Sequence, residues 1–184
     1  MVGPYLVFLA LTGAERIAEL LLSRRNQRIA IRAGGAESGA GQFRWMAFVH
    51  ALFLPACAAE VLLLHRRFPG VFGWACFAGA LCAQALRWWA ISALGRRWNV
   101  RVIVVPGERP VRSGPYRFLR HPNYLAVAAE MLFIPLAHGA WMSALVFSAL
   151  DVFLLRARLR TEEQALGASW EREFADAPRF IPHG

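Results

Sequence analysis

Two stretches of the chain place ionisable and hydrogen-bonding side chains where an apolar run begins or ends. The first, RFLRHPNYLAVAAE from Arg117 to Glu130, sets Arg120, His121, Asn123 and Tyr124 at the mouth of an apolar segment, with Glu130 two turns inside it. Pro122 fits the first turn of a helix, where its missing N–H costs nothing. A helix N-terminus gathers unsatisfied N–H groups and the positive end of the helix dipole, so this one suits an anionic group, and Arg120 and His121 add donors beside it. The second stretch, RARLRTEE, leaves another apolar segment with Arg156, Arg160 and Glu163 spaced i, i+4 and i+7 on one helical face, and Glu162 beside them. Taken alone, it also reads as a basic collar at a membrane surface.

These stretches need elements to position them. Of the 184 residues 57% are apolar, too many for an ordinary soluble domain and the mark of a membrane protein. A span needs roughly 20 residues to cross about 30 Å of hydrocarbon. Val2 to Leu22, Phe43 to Leu64 and Val71 to Leu94 have that length, whereas Tyr124 to Leu136 is shorter and ends at Pro135 and the His138-Gly139 pair. Trp141 to Leu155 follows at once, so these last two form a helical hairpin. The expectation is an all-α integral membrane protein of about five transmembrane helices. Residues 1–95 supply three of them and a cytoplasmic loop over 23–44, and residues 96–184 form the functional region. The N-terminus lacks a basic leader and a small-residue cleavage site, so it reads as an uncleaved first span.

All 21 basic residues are arginine, against 12 acids. They fall between the apolar runs, and no nucleic-acid motif accompanies them, so the charge reads as topology and not as nucleic-acid binding. Ser23 to Arg44 and Gly95 to Arg120 are arginine-rich, as is the tail after Leu155, while the connections at His65 to Gly70 and at 138–139 are not. The positive-inside rule therefore puts the N-terminus outside and the C-terminus in the cytoplasm. Within the Trp98–Gly114 connection, the β-branched run Asn99 to Val105 predicts a short extended segment over the membrane face, and Ala33 to Gly39 reads as flexible.

Glu15, Arg16, Glu19, Glu60, Gln84, Arg87, Glu130 and Asp151 all fall inside apolar runs. A charge facing lipid there costs about 2.5 to 3.5 kcal/mol on insertion scales, so each faces the bundle interior or an interface. Cys57, Cys76 and Cys82 lack metal-ligand or redox spacing and read as small buried hydrophobes. His50, His65, His138 and His183 lack paired spacing, so no metal site is expected.

The run GPYRFLRHPNY, the hairpin after it, RLRTEEQAL and the closing Pro178-Arg179-Phe180-Ile181-Pro182 together resemble the isoprenylcysteine carboxyl methyltransferase family, integral membrane enzymes that use S-adenosylmethionine. Its Arg-His-Pro-x-Tyr motif is matched by Arg120, His121, Pro122 and Tyr124. Its Arg-x-x-Glu-Glu pattern is matched by Arg160, Glu162 and Glu163 once a spacing of two is allowed. In the short tail Gly167, Trp170 and Phe174 replace a more aromatic pattern. The front half, from Glu15-Arg16 through His50 and Glu60 to Leu86-Arg87-Trp88-Trp89, is similar to a bacterial branch whose members accompany type III polyketide synthases and methylate long-chain alkylpyrones or alkylresorcinols.

The resemblance implies a site for S-adenosylmethionine, leaving as S-adenosylhomocysteine, in a cytoplasmic pocket formed by the 96–123 connection and the C-terminal tail. Arg120 and the Pro122 helix terminus would take the cofactor's carboxylate, Glu162 or Glu163 its ammonium or ribose, and Tyr116, His121 and Tyr124 the remaining hydrogen bonds and stacking. Arg160, with Arg156 second, would position the acceptor's anionic oxygen, and His121 or Glu130 could take a phenol's proton. His50 would touch the lipophilic acceptor, and Trp88 and Trp89 would line its tunnel. The acceptor would arrive from the membrane lipids of a bacterial inner membrane. A prenylcysteine carboxylate, a small phospholipid amine and a non-catalytic lipid-binding or scaffold role remain open.

Overall fold

The computed structural model of the chain describes residues 1–180, so Ile181, Pro182 and His183 lie outside the described residues. Helix α1 runs Val2–Arg32, α2 Ala40–Leu63 and α3 Val71–Leu94. After a long connection come α4, Pro122–Leu136, and α5, Trp141–Glu173. The stretch read as a connection from Ser23 to Arg44 is thus mostly helix. Leu, Arg, Gln, Ile and Ala carry α1 past the apolar run, and the ladder stops only where Gly34 and Gly35 follow. For the same reason α5 passes Leu155 and continues through RARLRTEEQAL to a break at Gly167, whose φ of 72° no helical residue adopts.

The segment read as flexible supplies a strand. β1, Ala36–Ser38, pairs antiparallel with β2, Val102–Val104, with Glu37 opposite Ile103. The β-branched run offers an extended edge, and the Arg101 guanidinium reaches Glu37 at 2.7 Å to fix the register. This ribbon ties the α1–α2 connection to the α3–α4 connection. Two further bonds anchor the same end of the bundle: Asn26 Nδ2 donates to the carbonyl oxygens of Gly95 (3.1 Å) and Trp98 (2.8 Å). Val100 N–H donates to Ser23 Oγ.

Helices α3, α4 and α5 pack in sequence order, and α2 packs on α5, so the two halves of the chain share one bundle. Close approach of α3 and α4 depends on small residues: a Cβ at Gly79 would lie 3.0 Å from the Phe133 ring. The core gathers Leu9, Phe53, Cys57, Ala80, Met131 and Ile134. Its outward faces are also apolar, with Leu11 and Leu21 on α1, Phe48 and Leu63 on α2, Phe72 on α3, and Leu145 and Phe153 on α5 all exposed. So large an apolar exterior suits lipid. Among the described residues one helix, Ala40–Leu63, is long and apolar enough to cross a membrane by length and composition alone.

The charges that α1, α3 and α4 bring into the bundle are paired. Arg87 donates to Glu19 through Nε (2.7 Å) and Nη2 (2.6 Å), and Arg16 meets Glu19 (2.9 Å), Gln84 (2.5 Å) and Glu130 (3.1 Å). Glu15 accepts from Gln84 and from the Trp88 indole. The long polar side chains thereby bridge α1 to α3 and α4, and removing one partner strands the rest.

Candidate functional site

At the arginine-rich end of the bundle a cavity of about 190 Å³ opens between the α3–α4 connection, the first turn of α4 and the last turns of α5. The hairpin brings the two chemistry-bearing stretches together. Pro122 begins α4, and the tail folds back over that terminus, where Arg120 N–H and His121 N–H donate to the carbonyls of Pro178 (2.9 Å) and Arg179 (3.3 Å). Arg120 Nε adds a bond of 2.5 Å to the Ala177 carbonyl. The helix terminus expected to meet an anion is therefore covered by protein. Arg120 still lines the cavity, but its guanidinium holds the tail.

Inside the cavity the α5 face differs from the one expected. Arg156 and Arg160 are exposed and outside the lining, whereas Arg158 is buried at 8% exposure and faces the cavity. Two residues along a helix turn a side chain by about 200°, so the choice between Arg158 and its neighbours is a choice of face. The inward stripe is Asp151, Leu155, Arg158, Glu162 and Leu166, continued by Trp170 beyond the Gly167 break. Arg158 Nε donates to the Tyr124 hydroxyl at 2.6 Å, and that hydroxyl donates to Glu162. The result is a buried Arg158–Tyr124–Glu162 chain across α4 and α5.

His121 stacks on Tyr124 with ring centroids 5.4 Å apart, and its Nε2–H meets Glu163 Oε1 at 3.1 Å. Glu163 also accepts from Arg179 Nε (3.0 Å) and Nη2 (2.8 Å). Burial works to raise the Glu163 carboxyl, but the bonds from Arg179 and His121 outweigh it and hold the group below its ordinary value. Glu163 and Pro122 lie behind the cavity wall, and Glu162 is the carboxylate that faces in. Tyr116 lines the opposite wall, where burial and then the Glu162 charge push its phenol up and keep it a neutral donor.

Three residues in the lining had no assigned role in the sequence reading. Asn99 and Asn123 each present a buried Oδ1 with no hydrogen-bond partner among the described residues, and Trp170 closes the floor against Phe174 at a centroid distance of 5.0 Å. Such orphaned acceptors are rare in native proteins and are met by a donor from outside the chain, a water or a ligand. Of the other expected residues, Glu130 sits in the Arg16–Arg87 network away from the cavity, because two guanidinium groups already claim it. Trp88 is held by Glu15 and Trp89 is half exposed, and neither lines the cavity. His50 lies on α2, beside Asp151 at 3.8 Å.

A second, much smaller crevice of about 20 Å³, room for a single water, lies between α2 and α5 and is lined by Phe43, Met46 and Leu154 together with the polar Ser38, Gln42 and Arg158. Arg158 and Val102 line both it and the polar cavity.

A model of the isoprenylcysteine carboxyl methyltransferase (ICMT) family matches residues 74–168, from α3 to the break in α5. The uncharacterized protein YpbQ of Bacillus subtilis (strain 168) is 35% identical over 160 residues, covering 87% of this chain and 95% of its own. An uncharacterized protein of Haemophilus influenzae is 26% identical over 154 residues, covering 83% of this chain and 89% of its own.

Proposed function

Because the chain belongs to the isoprenylcysteine carboxyl methyltransferase family of membrane methyltransferases, we propose that it is an integral membrane O-methyltransferase that transfers the methyl group of S-adenosylmethionine to an oxygen of a lipophilic acceptor. The observation that carries this reading is the double role of Arg158 and Val102, which line the polar cavity on one side and the apolar crevice on the other. A water-soluble cofactor and an oily acceptor need a junction of this kind, and the crevice, about 20 Å³ here, widens to admit the acceptor.

The cavity's donor and acceptor set fits the cofactor. Its ammonium and ribose hydroxyls are donors, Asn99 Oδ1 and Asn123 Oδ1 are buried acceptors without a partner among the described residues, and Glu162 adds a carboxylate. Arg97, Arg101 and Arg109 in the α3–α4 connection supply cations for its carboxylate, and Tyr116 and Trp170 supply aromatic faces for adenine. Bound there, S-adenosylmethionine supplies an electrophilic methyl carbon on sulfur. Transfer forms the acceptor O–C bond as the S–C bond breaks, so the chain's own work is alignment at near-attack distance in a dry site. Arg158 holds the acceptor's oxygen as an anion at the junction, and the Tyr124 hydroxyl fixes the guanidinium in place.

The best acceptor is the ring hydroxyl of a long-chain alkylpyrone or alkylresorcinol. The acidic enol of a pyrone reaches the site already ionised and needs no strong base, which agrees with a lining whose carboxylate, Glu162, is engaged by Tyr124, whereas a resorcinol phenol must lose its proton as the O–C bond forms, and His121 in the lining is the group that takes it. A prenylcysteine α-carboxylate is the second reading, favoured by the fork geometry of a buried arginine. In this reading the chain crosses a bacterial inner membrane five times with the cavity at the cytoplasmic face, as its arginine distribution supports, and works beside a type III polyketide synthase.

Calorimetric titration of S-adenosylhomocysteine into detergent-purified protein tests the proposal, with His121→Ala and Glu163→Gln alongside. Binding in the wild type that weakens in both folded variants is expected. A folded, monodisperse wild type that binds neither S-adenosylmethionine nor its product overturns it and brings forward a lipid-binding scaffold.

A further inference from the structure

Helix α1 continues past its apolar run, and its last stretch, Ser23 to Arg32, carries four arginines and no acid. Arg24, Arg25, Arg28 and Arg32 are all exposed, and among the described residues none of them forms an ion pair. The next carboxylate in the chain, Glu37, is already held by Arg101. One face of this extension is buried: Ser23 accepts from Val100 N–H, and Asn26 donates to the carbonyls of Gly95 and Trp98. On the opposite face Arg24, Arg28 and Arg32, spaced i, i+4 and i+8, line a shallow open recess with Gln27 and Ile31. Asn26 also fixes the depth, because α3 has just ended its apolar run at Leu94 where the bond to Gly95 is made. At about 1.5 Å per residue, Arg24, Arg25 and Arg28 fall within about 3 Å of that level and Arg32 about 9 Å beyond it. The headgroup layer flanking the hydrocarbon is roughly 5 to 7 Å deep on each side, so three of the four sit within it and the long Arg32 side chain reaches back to it. Ile17, Leu20 and Leu21, one and two turns further in on the face that carries Arg24, are exposed and apolar.

We propose that this face of α1 is a docking surface for anionic phospholipids, with the phosphodiester headgroup on Arg24, Arg28 and Arg32 and an acyl chain along Ile17, Leu20 and Leu21. Guanidinium forks match phosphate oxygens two at a time. Four uncompensated cations favour a headgroup of net negative charge over a zwitterionic one, whose own ammonium cancels much of the attraction. A free phosphate ion carries the same charge but has no chain to lay on the apolar part of the face. Because the buried side of the same turns holds Trp98 to Val100, and Trp98 and Asn99 line the cavity, the bound lipid keeps the cavity-bearing end of the bundle at the membrane surface. The surface depends on the membrane placement of the bundle and not on methyl transfer.

Dioleoylphosphatidylglycerol, dioleoylphosphatidylcholine and inorganic phosphate are titrated separately into the full chain in a neutral detergent, and thermal stabilisation is followed. The proteins compared are the wild type, Arg24→Gln/Arg28→Gln, Arg24→Lys/Arg28→Lys and Arg156→Gln/Arg160→Gln. An arginine near the surface supplies roughly a fivefold gain for an anionic lipid, so the wild type should half-saturate with phosphatidylglycerol at least about tenfold below phosphatidylcholine. The glutamine pair on α1 should weaken phosphatidylglycerol binding roughly 25-fold while unfolding at the wild-type temperature without lipid, and the lysine pair, which keeps the charge, should restore most of the binding. The α5 pair should change it much less, since Glu162 and Glu163 lie within a turn of Arg160. In the wild type itself, raising salt from about 0.1 M to about 1 M should erase the preference. Equal binding of the two phospholipids, a preference that survives high salt, an equal loss in the α5 pair, or stabilisation by inorganic phosphate matching that by phosphatidylglycerol overturns the docking surface. None of these results touches the methyltransferase reading, which S-adenosylhomocysteine binding decides.

Discussion

Replacing arginines one at a time along the start of α5's polar end gives the sharpest test of the site. Arg156, Arg158 and Arg160 share charge, length and surroundings in sequence, yet Arg158 alone faces the cavity and is bonded to Tyr124. Arg158→Met deletes a donor to a buried hydroxyl and removes the cation set against Glu162. A hydrogen bond involving a charged group contributes about 1.5 to 3 kcal/mol, which at about 1.4 kcal/mol per factor of ten is a loss of roughly 10- to 150-fold in kcat/KM. Arg156→Met and Arg160→Met, on exposed positions, should stay within about 0.5 kcal/mol, or roughly twofold. Methyl transfer from radiolabelled S-adenosylmethionine to pentadecylresorcinol in proteoliposomes reads all three, with thermal unfolding to confirm that each is folded. Arg160→Met losing as much as or more than Arg158→Met would refute the assignment of the inward face.

Glu163→Gln should flatten the acid limb of stability. A carboxyl held below its unfolded value contributes stability that is present above about pH 4.3 and is lost as pH falls through the folded value, so the wild type should lose more melting temperature than the variant between about pH 6 and pH 3.5. Glu130→Gln leaves Arg16 and Arg87 short of a partner and should cost on the order of 3 to 5 kcal/mol, read as a lowered melting temperature and yield, while molecules that do fold keep their affinity for S-adenosylhomocysteine. Arg120→Ala should free the tail and speed tryptic cleavage at the exposed Arg172 severalfold, with S-adenosylhomocysteine slowing that cleavage in the wild type. The cavity of about 190 Å³ is smaller than the roughly 300 Å³ at which small-molecule sites begin, so the same ligand should also change protection around Glu108 and Arg109 as the α3–α4 connection moves outward.

Much of this architecture is written in the order of apolar runs. The hairpin of α4 and α5 follows from Pro122, the short apolar stretch and the His138-Gly139 turn, and the meeting of the RHPNY and RTEE stretches follows from the hairpin. Helix ends were less legible, because hydropathy reports where lipid-compatible residues stop and not where the backbone ladder stops. Ser23 to Arg32 and Arg156 to Leu166 are polar but strongly helix-forming, and both extend the helices beyond the apolar runs. The inward face of α5 is not legible from Arg156, Arg160 and Glu163, because a spacing of i, i+4 and i+7 identifies some face without saying which one packs inward. Asp151 and Leu155, buried on the stripe that carries Arg158, fix that choice, and the sequence contains both. The orphaned acceptors of Asn99 and Asn123 could not have been found in this way, since an unmet hydrogen bond is a property of the surroundings. Glu130 draws a chemical role from the sequence because a carboxylate in an apolar run is conspicuous. Its partners Arg16 and Arg87 are far away in sequence, and only the fold brings them near.

The tail that covers the first turn of α4 has a consequence for the order of assembly. Ala177, Pro178 and Arg179 follow α5 in the chain, and the Arg120 guanidinium spans 57 residues of sequence to reach Ala177. Every helix must therefore be synthesised before the start of α4 acquires this cover. A nascent chain stopped after α5 would carry both of its chemistry-bearing stretches with the backbone N–H groups of Arg120 and His121 still without their partners in the tail. Translation thus sets an order: the start of α4 is covered only when the rest of the bundle already exists.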